Sequence, residues 1–240
     1  MNYGSISDTF PGTTDRKSGA VRFFRKPGRI ARTSFTPGKH LLMKEQASTH
    51  RNIVHFFFEL GMLKKTPRTG FQFLGSGGES VADHSFRTAV IGYTLARLSP
   101  GVDPHKVVCM CLFHDIPEAR TGDLNYVNKQ YVSSGEREAV SDLSRRLPFG
   151  DEYRALLDEY RSESSREALL VHDADQLELI LSLKEQHDLG NFYARKWIRF
   201  ALKRLKTDLA ESLAAEILET DSSDWWFKGH DHWWHRTQED

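Results

Sequence analysis

The sequence predicts an all-α fold, and three observations carry that prediction. Strand-like alternation of apolar and polar residues is almost absent. Apolar residues recur instead at helical spacings, as in Ile53, Val54, Phe57, Leu60 and Leu63. Several of the runs open on a side chain suited to capping a helix, namely Ser80, Asp103 and Ser165. A chain of 240 residues is long enough to bury a substantial core as one domain with an extension, and no internal repeat divides it.

Residues 1–42 stand apart, rich in Gly, Ser, Thr, Pro and basic side chains, with nine Lys or Arg against three acids over residues 1–50. Three readings compete here: a disordered tail, a start truly set at Met43, or an acid-poor organellar transit segment; the first two together are preferred. The expected division is an N-terminal extension over 1–42, a folded domain over 43–220 and a Trp- and His-rich tail over 221–240.

From Asn52 the helical period sets in and ends near Lys64 and Lys65, before Pro67. His55 and the phenylalanines of this run are expected to be core packing. Residues 68–78, RTGFQFLGSGG, form a glycine-rich connection whose backbone can approach a ligand closely. Ser80 with Asp83 three residues on is a capping-box variant opening a second helix, and His84 follows in its first turn. Asp103 and Pro104 pair an N-cap with proline at the first helical position, starting a central helix. The stretch from Asn125 to Gly135 reads as a loop or lid. Tyr153, Leu156, Leu157 and Tyr160 mark a further amphipathic helix, and Ser165 caps a long one bearing Asp173 and Asp175. A basic amphipathic helix is expected over roughly Phe192 to Leu218; its charges read as a solvated face, with a dimer contact or a polyanion surface as the minority view. His230, His232 and His235 lie among Trp225, Trp226, Trp233 and Trp234 near the end, where packing of the tryptophans is preferred over a second metal site.

The chemistry concentrates in Val107–Asp123, VVCMCLFHDIPEARTGD. An apolar run built for burial ends in His114, Asp115, Glu118 and Asp123, groups whose burial is costly unless they are paired or bind a metal. On a continuous helix Glu118 would lie four residues after His114 and three after Asp115, which turns all three toward one side. That is half of a metal site with a carboxylate beside it. The His-Asp dipeptide alone carries little, since it recurs at 172, 187 and 230. Imidazole nitrogen with carboxylate oxygen suits a first-row divalent ion, and the missing ligands must come from other helices. Of Asp173 and Asp175, two residues apart on one helix, only one can readily join a given ion.

The ordered set Arg68-Thr69-Gly70, Glu79 to Ser85 (ESVADHS), His114 to Glu118 (HDIPE), Thr121-Gly122-Asp123 and Ala174 to Glu178 (ADQLE) resembles the HD-domain metal-dependent phosphohydrolases, and most nearly their 5'-deoxynucleotidase group. The resemblance spans roughly Asn52 to His187. It implies a helical bundle with one divalent transition ion (Mn, Co, Fe, Ni or Zn) held by His84, His114, Asp115 and Asp175. It implies Glu118 as the catalytic acid or base, and Asp123 and Arg68 in contact with water, sugar or phosphate. The function it implies is removal of phosphate from nucleoside 5'-monophosphates. The alternatives are hydrolysis of nucleoside triphosphates or guanosine tetraphosphate, or a non-catalytic nucleotide-binding regulator. A homodimer is its suggested assembly. Bacterial members of the group carry Trp directly after the arginine, where this chain has Thr69 and, two positions on, Phe71.

Charge and cysteine content narrow the rest. With 33 basic and 33 acidic side chains the net charge is zero, which gives no indication of a nucleic-acid or membrane-surface protein. No uninterrupted apolar run reaches the ~18 residues of a membrane span. The two cysteines, Cys109 and Cys111, are too close in sequence for an ordinary disulfide and read as buried thiols, consistent with a reducing cytoplasm.

Overall fold

The computed structural model describes residues 37–229. The reading of the N-terminal extension up to residue 36, and that of His230, His232, His235, Trp233 and Trp234, lie outside the described residues. Among the described residues there are helices and turns and no strands, as the missing alternation predicts. No helix among them is long and apolar enough to cross a membrane.

Helix α1 (Pro37–Leu60) begins well before Asn52, where the apolar period starts, and of His55 and the phenylalanines expected in the core only Phe56 is buried, while His55, Phe57 and Phe58 are exposed. The short α2 (Phe71–Leu74) follows in the glycine-rich connection and ends on Gly75, whose positive φ of 69° suits a residue without a Cβ. Helix α3 (Val81–Leu98) opens on the capping box: Ser80 Oγ accepts the Asp83 N–H, and the Asp83 carboxylate accepts the Ser80 N–H. Helix α4 (Pro104–Phe113) starts as expected, with the Asp103 carboxylate accepting the His105 N–H.

The chain after Phe113 is not one continuous helix. It passes through a tight turn at His114–Pro117, closed by i to i+3 hydrogen bonds from Ile116 to Phe113 and from Glu118 to Asp115, and then makes the single-turn α5 (Glu118–Thr121). Pro117 has no N–H to continue the α-helical ladder. Cys111 is fully buried, whereas Cys109 on the adjacent face is only half-buried, a correction to the pair of core thiols.

Residues 122–135 form the expected loop, with one 3-10 turn at Asn128–Gln130. Helix α6 (Glu136–Ser144) follows; only Ala139, Val140 and Leu143 give it an apolar stripe, too short a signal to read from sequence. Helix α7 (Gly150–Ser162) buries Tyr153 and Leu157. Helix α8 (Arg166–Asp188) is capped by Ser165, whose hydroxyl accepts the Ala168 N–H.

The single basic helix expected over 192–218 is two helices, α9 (Ala194–Leu202) and α10 (Asp208–Glu219), followed by the short α11 (Asp224–Phe227). The cause of the break is Asp173. Its buried carboxylate accepts the N–H groups of Lys206 and Thr207 and the Thr207 hydroxyl, at 2.7, 3.0 and 2.7 Å. Thr207 Oγ1 then accepts the Ala210 N–H and caps α10.

Helix α8 is the axis of the fold. Val171, Ala174, Leu177 and Ile180 on it are buried with Leu95 of α3, Met110 and Cys111 of α4, and Ala210 and Ala214 of α10 in the main core. A second cluster joins Phe56 of α1, Val81, Ile116, Leu143 of α6 and Tyr153 of α7. A third joins Leu74, Leu183, Ala194 and Ile198. Helices α3, α4 and α8 meet at Gly92, where an added Cβ would lie 2.5 Å from Cys111 Sγ, 3.1 Å from Val107 and 3.6 Å from Ala174.

Candidate metal centre

Four elements deliver the polar groups. His84 sits in the first turn of α3 behind the Ser80 cap, His114 and Asp115 on the turn where α4 ends, and Asp175 on α8. The loop bearing Arg68 is tied to the base of α3 by backbone hydrogen bonds from Arg68 to Glu79 and from Val81 to Thr66, both 2.9 Å.

The side chains of His84, His114 and Asp175 offer donor atoms that lie within 4.8 Å of one another. His84 Nε2 is 3.1 Å from Asp175 Oδ1. Asp115 Oδ2 lies 3.6 Å from His84 Nε2 and 3.3 Å from His114 Nε2. Glu178 and Glu79 also approach His84, on its Nδ1 side. The other expected acid of α8, Asp173, is turned away and bound to the α9–α10 junction.

The far side of each ring is fixed. His114 Nδ1 is 2.7 Å from the Cys111 carbonyl oxygen, an atom that only accepts, so Nδ1 carries a proton and Nε2 is the nitrogen turned to the centre. His84 Nδ1 is held by Glu178 Oε2 at 2.5 Å, which keeps a proton on that nitrogen and turns Nε2 toward Asp115 and Asp175. Glu178 is in turn gripped by Arg87, through Nε at 2.9 Å and Nη2 at 2.7 Å, and Arg87 also reaches Glu185 and the Ser182 hydroxyl.

His84 Nε2, His114 Nε2, Asp115 Oδ2 and Glu118 Oε2 are buried and have no hydrogen-bond partner among the described residues. Several orphaned polar atoms at one point would be costly in a cavity that offered them nothing. Two imidazole nitrogens with two carboxylates form a donor set that fits a first-row divalent cation, and this convergence is the observation that a metal would explain.

Electrostatics follow from the crowding. Burial and Arg68 lower the His84 pKa, but the neighbouring carboxylates of Asp175 and Glu178 prevail and raise it to about 10. Burial, then Asp115 and Asp123, push the Glu118 carboxyl up to about 9 against Arg68 and Lys129. Burial opposes the charge of Arg68, and Asp115, Asp175, Asp123 and Glu118 outweigh it, so the guanidinium stays charged. It lies 3.5 Å from Asp115, 3.8 Å from Glu79 and 3.9 Å from Asp123.

A cavity of about 510 Å³ opens from this centre, lined by Arg68, His114, Asp115, Glu118, Asp123 and Asp175 at one end. Asp123 is also a tether: Oδ2 accepts the Thr69 N–H and hydroxyl at 2.6 and 3.0 Å, and Thr69 holds Asn125. Thr69, Glu178 and Arg87 are the partners that sequence reasoning missed. Glu178 alone had a signal, three residues after Asp175 on one helix, which puts the two carboxylates on a shared face.

Comparison with known proteins decides the family. A protein-family model described as HD domain matches residues 60–217. The chain belongs to the HD-domain family. Among curated relatives, bovine 5'-deoxynucleotidase HDDC2 is 35% identical over 147 residues, covering 59% of this chain and 71% of that protein. The 5'-deoxynucleotidase hdd1 of Schizosaccharomyces pombe is 31% identical over 174 residues, covering 65% and 87%. Among solved structures, a predicted metal-dependent phosphohydrolase of Magnetospirillum magnetotacticum superposes with a TM-score of 0.59 at 25% identity, covering 72% of this chain and 92% of that one. The resemblance read from the ordered motifs is borne out by these relatives.

Proposed function

We propose that this chain is a metal-dependent phosphohydrolase that removes phosphate from nucleoside 5'-monophosphates. The observation that carries the reading is the convergence of partnerless buried atoms from His84, His114 and Asp115, beside Asp175, at the end of a cavity that also holds Arg68 and Glu118. The curated relatives, named as 5'-deoxynucleotidases, supply the substrate class.

His84, His114, Asp115 and Asp175 are the groups assigned to hold one divalent transition ion. Bound there, such an ion lowers the pKa of water and offsets negative charge on a phosphoryl group. Arg68 stands among carboxylates that keep it charged, and its planar fork is suited to the equatorial oxygens of a phosphate. Glu118 is assigned the proton: its Oε2 has no partner, and its raised pKa keeps the proton available for the leaving oxygen. Asp123 holds the loop at Thr69 and presents its other oxygen toward Arg68.

The deciding experiment is turnover of ribo- and deoxyribonucleoside mono-, di- and triphosphates and guanosine tetraphosphate with added Mn, Co, Fe, Ni or Zn. Orthophosphate release from monophosphates is expected. Pyrophosphate or triphosphate as the released product, or binding with no release, overturns the assignment.

A further inference from the structure

Asp175, Leu179 and Leu183 stand four residues apart on α8, and all three line the same cavity. At 1.5 Å of rise per residue this strip runs ~12 Å away from the metal-centre end. A phosphate seated near Asp175 therefore leaves a long stretch of wall beyond it.

The wall changes chemistry along that length. Leu179 and Leu183 are joined by Phe71 and Trp197, a cluster packed on Leu74 and Ile198. Trp197 and Phe71 are half-buried, so each keeps a free surface. The edge of the indole lies beside Gly70, where a Cβ would be in ordinary contact at 3.4 Å from Trp197 Cζ3, so the ring of α9 stands next to the loop that carries Arg68. A polar group faces the same space. The Arg204 guanidinium lies 4.8 Å over the Tyr126 ring and donates to Gln176 Oε1 at 3.1 Å, while Gln176 Nε2 donates to Asp175 Oδ2 at 2.9 Å. Two restraints thus fix Arg204 and leave it further N–H donors.

We propose that the Trp197 end of this cavity is a nucleobase subsite, in which a purine or pyrimidine ring lies against the indole while Arg204, held beside Asp175 through Gln176, borders it on the metal-centre side. The proposal rests on the nucleotide reading above and extends it to the source of selectivity: an aromatic base is needed for tight binding. A flat ring with acceptors on its rim matches an apolar aromatic wall with a cation at its border. Base-on-aromatic stacking of the size seen in single-strand binding is equivalent to about tenfold or more in affinity.

The test uses the full chain with its metal, as wild type, Trp197→Phe and Trp197→Leu. Phosphate release is measured from deoxyadenosine 5'-monophosphate and from 2-deoxyribose 5-phosphate, which lacks a base. Trp197→Leu should lower kcat/KM for the nucleotide about tenfold and leave the abasic compound unchanged, with Trp197→Phe close to wild type. Equal losses on both compounds, or no loss, overturn the subsite. A second readout needs no turnover: deoxyadenosine should quench indole fluorescence in the wild type and not in Trp197→Phe. Quenching that persists in Trp197→Phe, or is absent in the wild type, also overturns it. Failure of any nucleotide to release phosphate while the Trp197-dependent quench persists would sink the proposed function and leave the subsite standing.

Discussion

Nδ1 of His84 lies 2.5 Å from Oε2 of Glu178, and both side chains are fully buried. Glu178 thereby determines which nitrogen of His84 faces Asp115 and Asp175. Burial disfavours the Glu178 charge, but its hydrogen bond to His84, the His84 charge and Arg87 together hold its pKa below the ordinary value. A histidine ligand oriented by an outer carboxylate loses about 10- to 100-fold in metal affinity when that partner is changed. Glu178→Gln keeps the shape and removes the charge, so equilibrium dialysis against Mn or Co should show a loss of that size with the helical circular dichroism unchanged. Unaltered affinity would remove the orienting role.

Asp115 and Glu118 stand three residues apart with different assignments. Asp115→Ala should lose the bound ion by elemental analysis. Glu118→Ala should retain it and lose turnover by about 10²- to 10⁴-fold, the range for a general acid or base. A fully active Glu118→Ala protein would contradict the proton-transfer assignment.

Ion uptake should release protons. The His84 pKa is lowered by burial and by Arg68, but Asp175 and Glu178 raise it to about 10, so near neutral pH the ring is protonated and Nε2 must give up its proton to coordinate. Since the pKa lies above neutral, the apparent affinity should strengthen as pH rises toward it. Isothermal titration in buffers of different ionisation enthalpy measures the release; a heat independent of buffer would exclude it.

The two acids of α8 should separate cleanly. Asp173→Ala strips the acceptor from three donors at the α9–α10 junction, and each orphaned donor costs about 1–3 kcal/mol. Its urea midpoint should fall while the remaining folded protein still binds metal. Asp175→Ala should show the reverse pattern, losing the ion with a smaller change in midpoint. Identical behaviour of the two variants would contradict the division of labour.

What was legible in the sequence depended on how far apart the interacting groups lie. The caps at Ser80, Asp103 and Ser165 were readable because each acts within three residues. The break between α9 and α10 was not, because its cause, Asp173, lies more than thirty residues upstream of Lys206. Glu118 was expected near Asp115 by helical spacing; the chain instead turns at Pro117, and the charge of Asp115 still bears on Glu118. His84, Asp175 and Arg68 came from the ordered motifs, since no local period signals that three distant segments converge. Thr69 had no signal, because a threonine after an arginine looks like any turn residue until Asp123 is placed against it.

Gly92 has no side chain, yet it governs how closely three helices approach. The ring of His84 on α3, the His114–Asp115 turn at the end of α4 and Asp175 on α8 are referenced to one another through a crossing where a methyl group would meet sulfur at 2.5 Å. Alanine there is a conservative change by composition and a wedge by geometry. Close-packed interiors transmit such a displacement rather than absorb it, so the tolerance of the donor cluster to movement is written eight residues from the nearest donor, at a position that no chemical inspection of the cavity would single out.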